Sequence, residues 1–325
     1  METSGFAKYI VQGSDSELWL DQMLACRIPK QKRICLAPML NDQGKLIGDF
    51  TLTRMDDEDF LLIGSGVAEE YHLRWFSNYL DPELDVHVIP QSNTMLGLAV
   101  AGPKSRELMQ KVSPFDFSNK HFRFMEMKQV PIGLAECLVG RVSYTGDLGY
   151  EIWMEAENQR TVLQTLMQEG KSLGLGLFGL RALNALRLEK NFGSWAREFR
   201  PIYGPLEAGL NRFIAYDKEA DFIGKEEALK EKEEGGIMRL RTFVVNARDA
   251  DVIGDEPIWH KGEVKGWVTS GGYAHASGVS MAMGYVPREI ADQTSGWEIE
   301  ILNKRCSCKL QLKPLFDPEG RIMRE

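Results

Sequence analysis

The chain has 325 residues, of which 43% are hydrophobic and 26% are charged, a composition typical of globular proteins. Its formal net charge of −8 argues against binding to nucleic acid or to an anionic membrane surface, because phosphate groups would be repelled. No apolar run reaches transmembrane length and no signal-like segment opens the chain, so we predict a cytoplasmic protein. The length exceeds one average domain, and we therefore expect two or three lobes.

Cysteine and histidine usage indicates neither disulfides nor a metal site. The five cysteines are widely spaced and include no C-x-x-C pair, which predicts reduced thiols. The five histidines are also scattered, and none belongs to an H-E-x-x-H motif. We therefore predict no metal centre.

The first two thirds of the chain alternate strand-like and helical segments. The segment "GFAKYIVQG" predicts a strand, "SDSELWLDQML" a helix, and residues 34–64 a β-meander with turns at "NDQG" and "MDDED". Two further helices are predicted by "AEEYHLRWFSNYL" and "GPKSRELMQKV". A strand, glycine-rich turn and second strand are predicted by "GRVSYTGDLGYEIWM", and "NQRTVLQTLMQEGKSLG" and "LRALNALRLEK" then predict helices.

The pattern changes after "ADFIGKEEALKEKEEGG", a charged run that predicts a solvated helix followed by a linker. From Met238 onward, short β segments alternate with glycine and proline, among them "RLRTFVV", "GWVTS", "WEIEIL" and "CKLQLK". We therefore predict one domain over residues 1–235 and a small β-barrel or sandwich over residues 236–325.

The segment "GLGLFG", Gly174 to Gly179, matches the G-x-G-x-x-G pattern of dinucleotide-binding domains. That pattern needs a hydrophobic strand before it and an acidic residue at the end of the next strand. The preceding "VLQTLMQEGKSL" has the period and charge of a helix, and no second β segment ending in an acid follows. We interpret "GLGLFG" as a loop between two helices.

The segment "YTGDLGYE" is a second candidate for ligand contact. Its two glycines allow a ligand to approach the backbone closely, and Tyr144 and Tyr150 flank the turn. Considered alone, the segment predicts a hairpin turn, with a ligand site as the alternative.

Six motifs occur in order along most of the chain: "SYTGDLGYEI", "ALNALRLEKNFGSWAREF", "PLEAGL", "DFIGKEEAL", "VTSGGYAHA" and "MAMGYVP". Together they resemble the folate-binding aminomethyltransferase family, whose founding member is the T-protein of the glycine cleavage system. Within it, "LRLEK", "PLEAGL" and "ADFIGK" are similar to the tetrahydrofolate modules of dimethylglycine and sarcosine dehydrogenases. The resemblance implies an α+β fold with mixed or antiparallel sheets and helices, followed by a C-terminal β-barrel.

The resemblance also implies four site residues. The family's catalytic acid falls on Asp49 in "GKLIGDF", where Gly48 replaces the first of two acidic positions. The pterin-binding tyrosine and glutamate fall on Tyr144 and Glu151, and the arginine that opens the following helix falls on Arg181. An ionised Glu151 would match the two-donor edge of a pterin, and Arg181 would bind folate or Glu151 itself. Asp49 would stabilise the positive charge that develops near the folate nitrogens.

The function implied by the resemblance is tetrahydrofolate-dependent one-carbon transfer or demethylation. The donor would be an N-methyl amine or its imine, and the product would be 5,10-methylenetetrahydrofolate. Because the chain has no FAD fingerprint, an FAD-dependent amine dehydrogenase domain or subunit would carry out the oxidation, and the early first strand suggests that a preceding segment of the family domain is absent. The alternatives are a non-catalytic folate-binding or regulatory module and a folate-dependent O- or S-demethylase.

Overall fold

The structure, a computed structural model, describes all residues from 1 to 325. Its first sheet is antiparallel, with strand order β2-β3-β4-β1-β5. The strands are β1 (Ala7–Gln12), β2 (Ile34–Leu40), β3 (Leu46–Arg54), β4 (Asp59–Gly64) and β5 (His87–Pro90). The predicted meander is confirmed as the three neighbouring strands β2, β3 and β4.

One face of this sheet is covered by helices α1 (Ser16–Met23) and α2 (Glu69–Asn78). Because successive side chains of a strand point to opposite faces, Phe50 and Leu52 of β3 enter the core beneath these helices. Burial of each such side chain stabilises the fold by roughly 2 kcal/mol. Asp49 and Thr51 consequently lie on the opposite face of β3.

The second sheet has the order β6-β9-β8-β7 and is also antiparallel. Helices α3 (Ser105–Val112) and α4 (Gln159–Gly170) pack on one face of it, over a core that includes Tyr150 and Ile152. Its strands are β6 (Met95–Ala101), β7 (Met127–Ile132), β8 (Ala135–Gly140) and β9 (Gly149–Glu155).

The C-terminal third forms a closed six-stranded barrel, with order β10-β13-β12-β11-β14-β15 and β15 paired to β10. Helices α5 (Leu180–Glu189) and α6 (Lys225–Glu234) precede it in the chain. The strands are β10 (Met238–Val245), β11 (Pro257–His260), β12 (Glu263–Ala274), β13 (Val279–Pro287), β14 (Trp297–Ile301) and β15 (Lys304–Gln311). The expected mixed α and β architecture with a C-terminal β-barrel is therefore confirmed.

The alternation of polar and apolar side chains does not predict strand β13. Seven consecutive residues of this strand, from Ser280 to Val286, are buried, so the strand lacks the alternation that marks a half-exposed strand. The division predicted at residue 235 falls between α6 and β10, and it stays a prediction about where the domains separate. None of the helices has the length and apolar composition that a membrane-spanning segment requires.

The "GLGLFG" segment joins two helices, as its interpretation predicted. A short 3₁₀ turn, Lys171–Leu173, extends α4, and Gly174 then reverses the backbone with a φ of 78°. Residues with this left-handed conformation are usually glycine at helix ends. No strand precedes the motif, and α5 begins at Leu180, so the segment lacks the context of a pyrophosphate-binding loop.

Candidate active site

The two N-terminal sheets face each other, and part of the space between them is apolar. Trp153 of β9 packs there with Ile34, Leu61 and Ile63 of the first sheet. Gly140 of β8 lies close to Ile34 of the first sheet, since a Cβ added to this glycine would lie 3.3 Å from Cδ1 of Ile34. Polar side chains on these two inner faces therefore point towards the same space between the sheets, the cleft.

Asp49 lies on the inner face of β3. Just before it, a β-bulge interrupts the pairing with β2, because Met39 opposes Gly48 whereas Leu40 opposes Leu46. Bulges re-aim neighbouring side chains and are common beside active sites. The Asp49 carboxyl is partly exposed and forms no side-chain hydrogen bond or ion pair. Loss of hydration raises its pKa to about 8; its own backbone amide opposes the shift, and the charge of Glu198 adds to it.

Gly48 has a packing explanation in this chain. A Cβ at this position would lie 2.6 Å from the ring of Phe50 and 3.3 Å from Nε2 of His72. His72 is buried, and its Nε2 lies 2.8 Å from the carbonyl oxygen of Ile47. The site of the missing first acid is thus filled by an aromatic ring and an imidazole, which leaves Asp49 as the acid on this strand segment.

Glu151 lies on β9 between two residues that point into the opposite core, Tyr150 and Ile152. It shares the cleft face with Trp153, and its cross-strand neighbours, Ala99 and Gly140, carry little or no side chain. The Glu151 carboxyl forms no hydrogen bond or ion pair, and desolvation by burial raises its pKa to about 7. It is a two-oxygen acceptor with no donor in the protein.

Tyr144 lies in the loop between β8 and β9. Its hydroxyl donates a 2.8 Å hydrogen bond to the carbonyl oxygen of Gly193, and its ring is parallel to that of Phe192 at 6.1 Å. Burial raises the pKa of Tyr144; Arg187 opposes this shift, and the charges of Asp49 and Glu198 add to it. The structure therefore brings Asp49 close enough to Tyr144 for its charge to affect the ionisation of the tyrosine.

Arg181, the second residue of α5, is exposed and forms neither an ion pair nor a side-chain hydrogen bond. Arg181 does not contact Glu151 in this structure, because the arginine side chain is exposed to solvent. A role in contacting folate stays a prediction.

Sequence reasoning missed a buried charged pair whose glutamate acts on Asp49. Arg187 and Glu198 are buried and form an ion pair of 3.0 Å. The only signal in the sequence is an arginine on the apolar side of α5, between Leu183 and Leu188. Charged residues are almost never buried unless paired, so this position implied a partner without identifying it.

Comparison with known proteins assigns the chain to a family. The family model described as "GCVT N-terminal domain" matches residues 1–218, and the one described as "Glycine cleavage T-protein C-terminal barrel domain" matches residues 239–317. The chain is 30% identical to an aminomethyltransferase of Halothermothrix orenii, with 93% of this chain and 84% of the relative covered. It therefore belongs to the glycine cleavage T-protein family.

Two further comparisons refine this assignment. The chain is 36% identical to the mitochondrial dimethylglycine dehydrogenase of Mus musculus over 97% of its own length, but it spans only 36% of that protein. The crystal structure of the glycine cleavage system aminomethyltransferase T from Bartonella henselae superposes with a TM-score of 0.88, covering 98% of this chain and 86% of that one. At 20% identity, that similarity shows a shared fold.

Proposed function

We propose that this chain transfers a one-carbon unit from an N-methyl amine, received as an iminium or aminomethyl group, to tetrahydrofolate. The observation that carries the proposal is the presence of two desolvated carboxyl groups, Asp49 and Glu151, that lie on the facing inner surfaces of the two sheets and have no partner in the protein. A desolvated polar group without a partner costs free energy, so such a pair is typical of a binding site. Membership of the T-protein family supports folate as the ligand.

Glu151 suits the recognition of a pterin. The N3–H and 2-amino groups of the pterin form a two-donor edge, and the Glu151 carboxylate offers two acceptor oxygens in matching geometry. These donors would stabilise the ionised form, which desolvation alone disfavours near neutral pH. Glu151 would therefore bind and orient the folate, and a contact of Tyr144 with the pterin stays a prediction.

Asp49 suits proton transfer. When bound, tetrahydrofolate supplies the nitrogen atoms that accept the one-carbon unit. With a pKa of about 8, the Asp49 carboxyl is mostly protonated at pH 7 and can hold or release a proton at little cost. As a carboxylate it would stabilise positive charge on the donor; as an acid it would return the proton. Burial makes both the carboxylate and the protonated form accessible near neutral pH.

A flavin-dependent amine dehydrogenase, as a further domain or as a separate subunit, would supply the oxidised donor. This proposal is supported by the similarity to dimethylglycine dehydrogenases, of which the chain spans little more than a third. Dimethylglycine and sarcosine are therefore the first donors to test. Demethylation of such amines and a cytoplasmic location remain predictions.

Calorimetric titration with tetrahydrofolate tests the binding step directly. A single-turnover assay then follows the formation of methylenetetrahydrofolate, with and without an amine dehydrogenase that generates the imine. We expect binding in both cases and product only when the donor is supplied. Absence of binding would refute the proposal, and binding without product from any imine donor would favour the non-catalytic folate module.

A further inference from the structure

Four separate parts of the chain meet at the buried Arg187–Glu198 ion pair. Arg187 comes from α5, and Glu198 comes from the loop that follows this helix. From the barrel, the Thr269 hydroxyl donates to Glu198 Oε1 at 2.6 Å, and Arg187 Nη2 donates to the Ser270 hydroxyl at 2.7 Å. The Tyr285 hydroxyl also donates to the backbone carbonyl of Glu198 at 2.7 Å.

The barrel strand β12 is irregular at this point. Its register against β13 shifts between Val268 and Ser270, which makes Thr269 the extra residue of a β-bulge. The bulge directs the Thr269 hydroxyl towards Glu198, although Thr269 itself is fully buried. The barrel thus contributes two neighbouring hydroxyl groups, one to each member of the ion pair.

The same ion pair also anchors both ends of the segment from Phe192 to Ser194, which supports Tyr144. Arg187 Nη1 donates to the Phe192 carbonyl at 3.0 Å, and the Ser194 amide donates to Glu198 Oε2 at 2.8 Å. Between these two anchors lies Gly193, whose carbonyl accepts the Tyr144 hydroxyl. The Tyr144 ring stacks on Phe192, so both of its described contacts are made to this segment.

The charges that face Asp49 come from the same region. Tyr144 faces it from the loop after β8, and Glu198 faces it from the loop after α5. Arg187 lies 3.0 Å from Glu198, and its charge acts on Tyr144. In a desolvated site such charges are poorly screened, so the carboxylate of Glu198 adds to the desolvation that raises the pKa of Asp49.

We infer that Arg187 and Glu198 are positioning residues through which the barrel holds the reactive site: they fix the segment from Phe192 to Ser194, and with it Tyr144 and the electrostatic field at Asp49. The inference rests on the proposed function for its consequence in turnover. The geometric coupling itself is independent of that function and is measurable in the protein without ligand.

The test is a ¹³C NMR titration of the Asp49 carboxyl in the full chain without folate, with Asp49→Asn used to assign the resonance. In Glu198→Gln, which removes the negative charge, we expect the Asp49 midpoint to fall by at least half a pH unit. The matched variant Thr269→Val keeps the charge of Glu198, and we expect a shift of less than half that size. An unchanged midpoint in Glu198→Gln would overturn the electrostatic part of the inference.

A second readout tests positioning. Fluorotyrosine incorporated in place of Tyr144 should give a ¹⁹F resonance that moves or broadens in both Glu198→Gln and Thr269→Val, because each variant loosens the support of Gly193. A ¹⁹F resonance that is the same in both variants as in the wild type would overturn the positioning role. If Glu198→Gln does not fold, the double variant Arg187→Gln/Glu198→Gln leaves no unpaired buried charge. Because loss of both charges largely cancels at Asp49, only the ¹⁹F readout is applied to it, and a Tyr144 resonance equal to that of the wild type would overturn the positioning role.

Turnover separates this inference from the proposed function. If tetrahydrofolate does not bind to the wild type, the proposed function fails, and the two NMR readouts still decide the coupling. If tetrahydrofolate binds and is converted, Glu198→Gln should lower kcat at least tenfold and shift its pH profile to lower pH. A loss of kcat with the pH profile unchanged would indicate a structural role alone and would contradict the electrostatic part of the inference.

Discussion

Asp49 holds a proton that it can release near neutral pH, whereas an amide in its place cannot. We expect Asp49→Asn to lower kcat by about 100-fold or more, which is the usual contribution of general acid–base catalysis. Because Glu151 remains, the affinity for tetrahydrofolate should change less than about threefold, as calorimetry would report. The control is Asp251→Asn, an exposed aspartate in the barrel domain that forms no ion pair. Unchanged turnover in Asp49→Asn would exclude its catalytic role.

Glu151 should make folate affinity depend on pH. Its carboxyl has a pKa of about 7 without ligand, and pterin donors would stabilise the ionised form, so binding below pH 7 requires the release of a proton. We expect the affinity to fall as pH decreases below about 7, by up to about tenfold per pH unit. Calorimetry in two buffers of different ionisation enthalpy would detect the released proton.

Replacement of Glu151 by alanine removes a charge-assisted contact. We expect a loss of about 2 kcal/mol in the binding free energy of tetrahydrofolate, together with the loss of its pH dependence. Glu155→Gln is the matched control, since Glu155 ends the same strand, is exposed and forms no ion pair. Equal affinities of the wild type and Glu151→Ala would remove this residue from the site.

Strand β3 carries Asp49 next to a tightly packed glycine. In Gly48→Ala, the new methyl group would meet the Phe50 ring at 2.6 Å, and this ring is fully buried. Such overpacking typically costs about 1–3 kcal/mol, which urea unfolding would measure. Gly176→Ala is the control within the "GLGLFG" loop, because nothing lies within 4 Å of its Cβ position. Equal stability of the two variants would show that β3 tolerates a side chain here.

The ionisation of both site carboxyls affects the stability of the whole chain. Their pKa values in the folded protein, about 8 for Asp49 and about 7 for Glu151, lie above the ordinary values of 3.8 and 4.5. The folded state therefore keeps protons that the unfolded chain loses above pH 5. This stabilising contribution is complete below about pH 4 and is lost as pH rises through 7 to 8.

We therefore expect the free energy of unfolding of the wild type to decrease between pH 5 and pH 7. The decrease, relative to the double variant Asp49→Asn/Glu151→Gln, should be about 1 kcal/mol per pH unit for each carboxyl. Urea unfolding at several pH values measures the difference. Parallel curves for the two proteins would contradict the raised pKa values, because the double variant has no proton to lose at these positions.

Much of the architecture was predictable from the sequence, because it depends on local patterns. The meander from β2 to β4, helices α4 and α5 and the loop at Gly174 follow from side-chain period and from glycine conformation. Asp49 and Glu151 were selected as candidates through two short motifs, "GKLIGDF" and "YTGDLGYE". Strand β13 was hidden from periodicity by burial on both faces.

The amino-acid sequence by itself determined the helices, the β2–β4 meander, the family resemblance and the candidate acids, since each of these is a property of neighbouring residues. Only the tertiary structure decided that Asp49 and Glu151 have no partners and that Arg181 lies in solvent. It also joined Glu198 to Thr269, 71 residues further along the chain. The physical reason is that desolvation and charge interactions depend on distances in space, which the folded path sets between residues far apart in the chain.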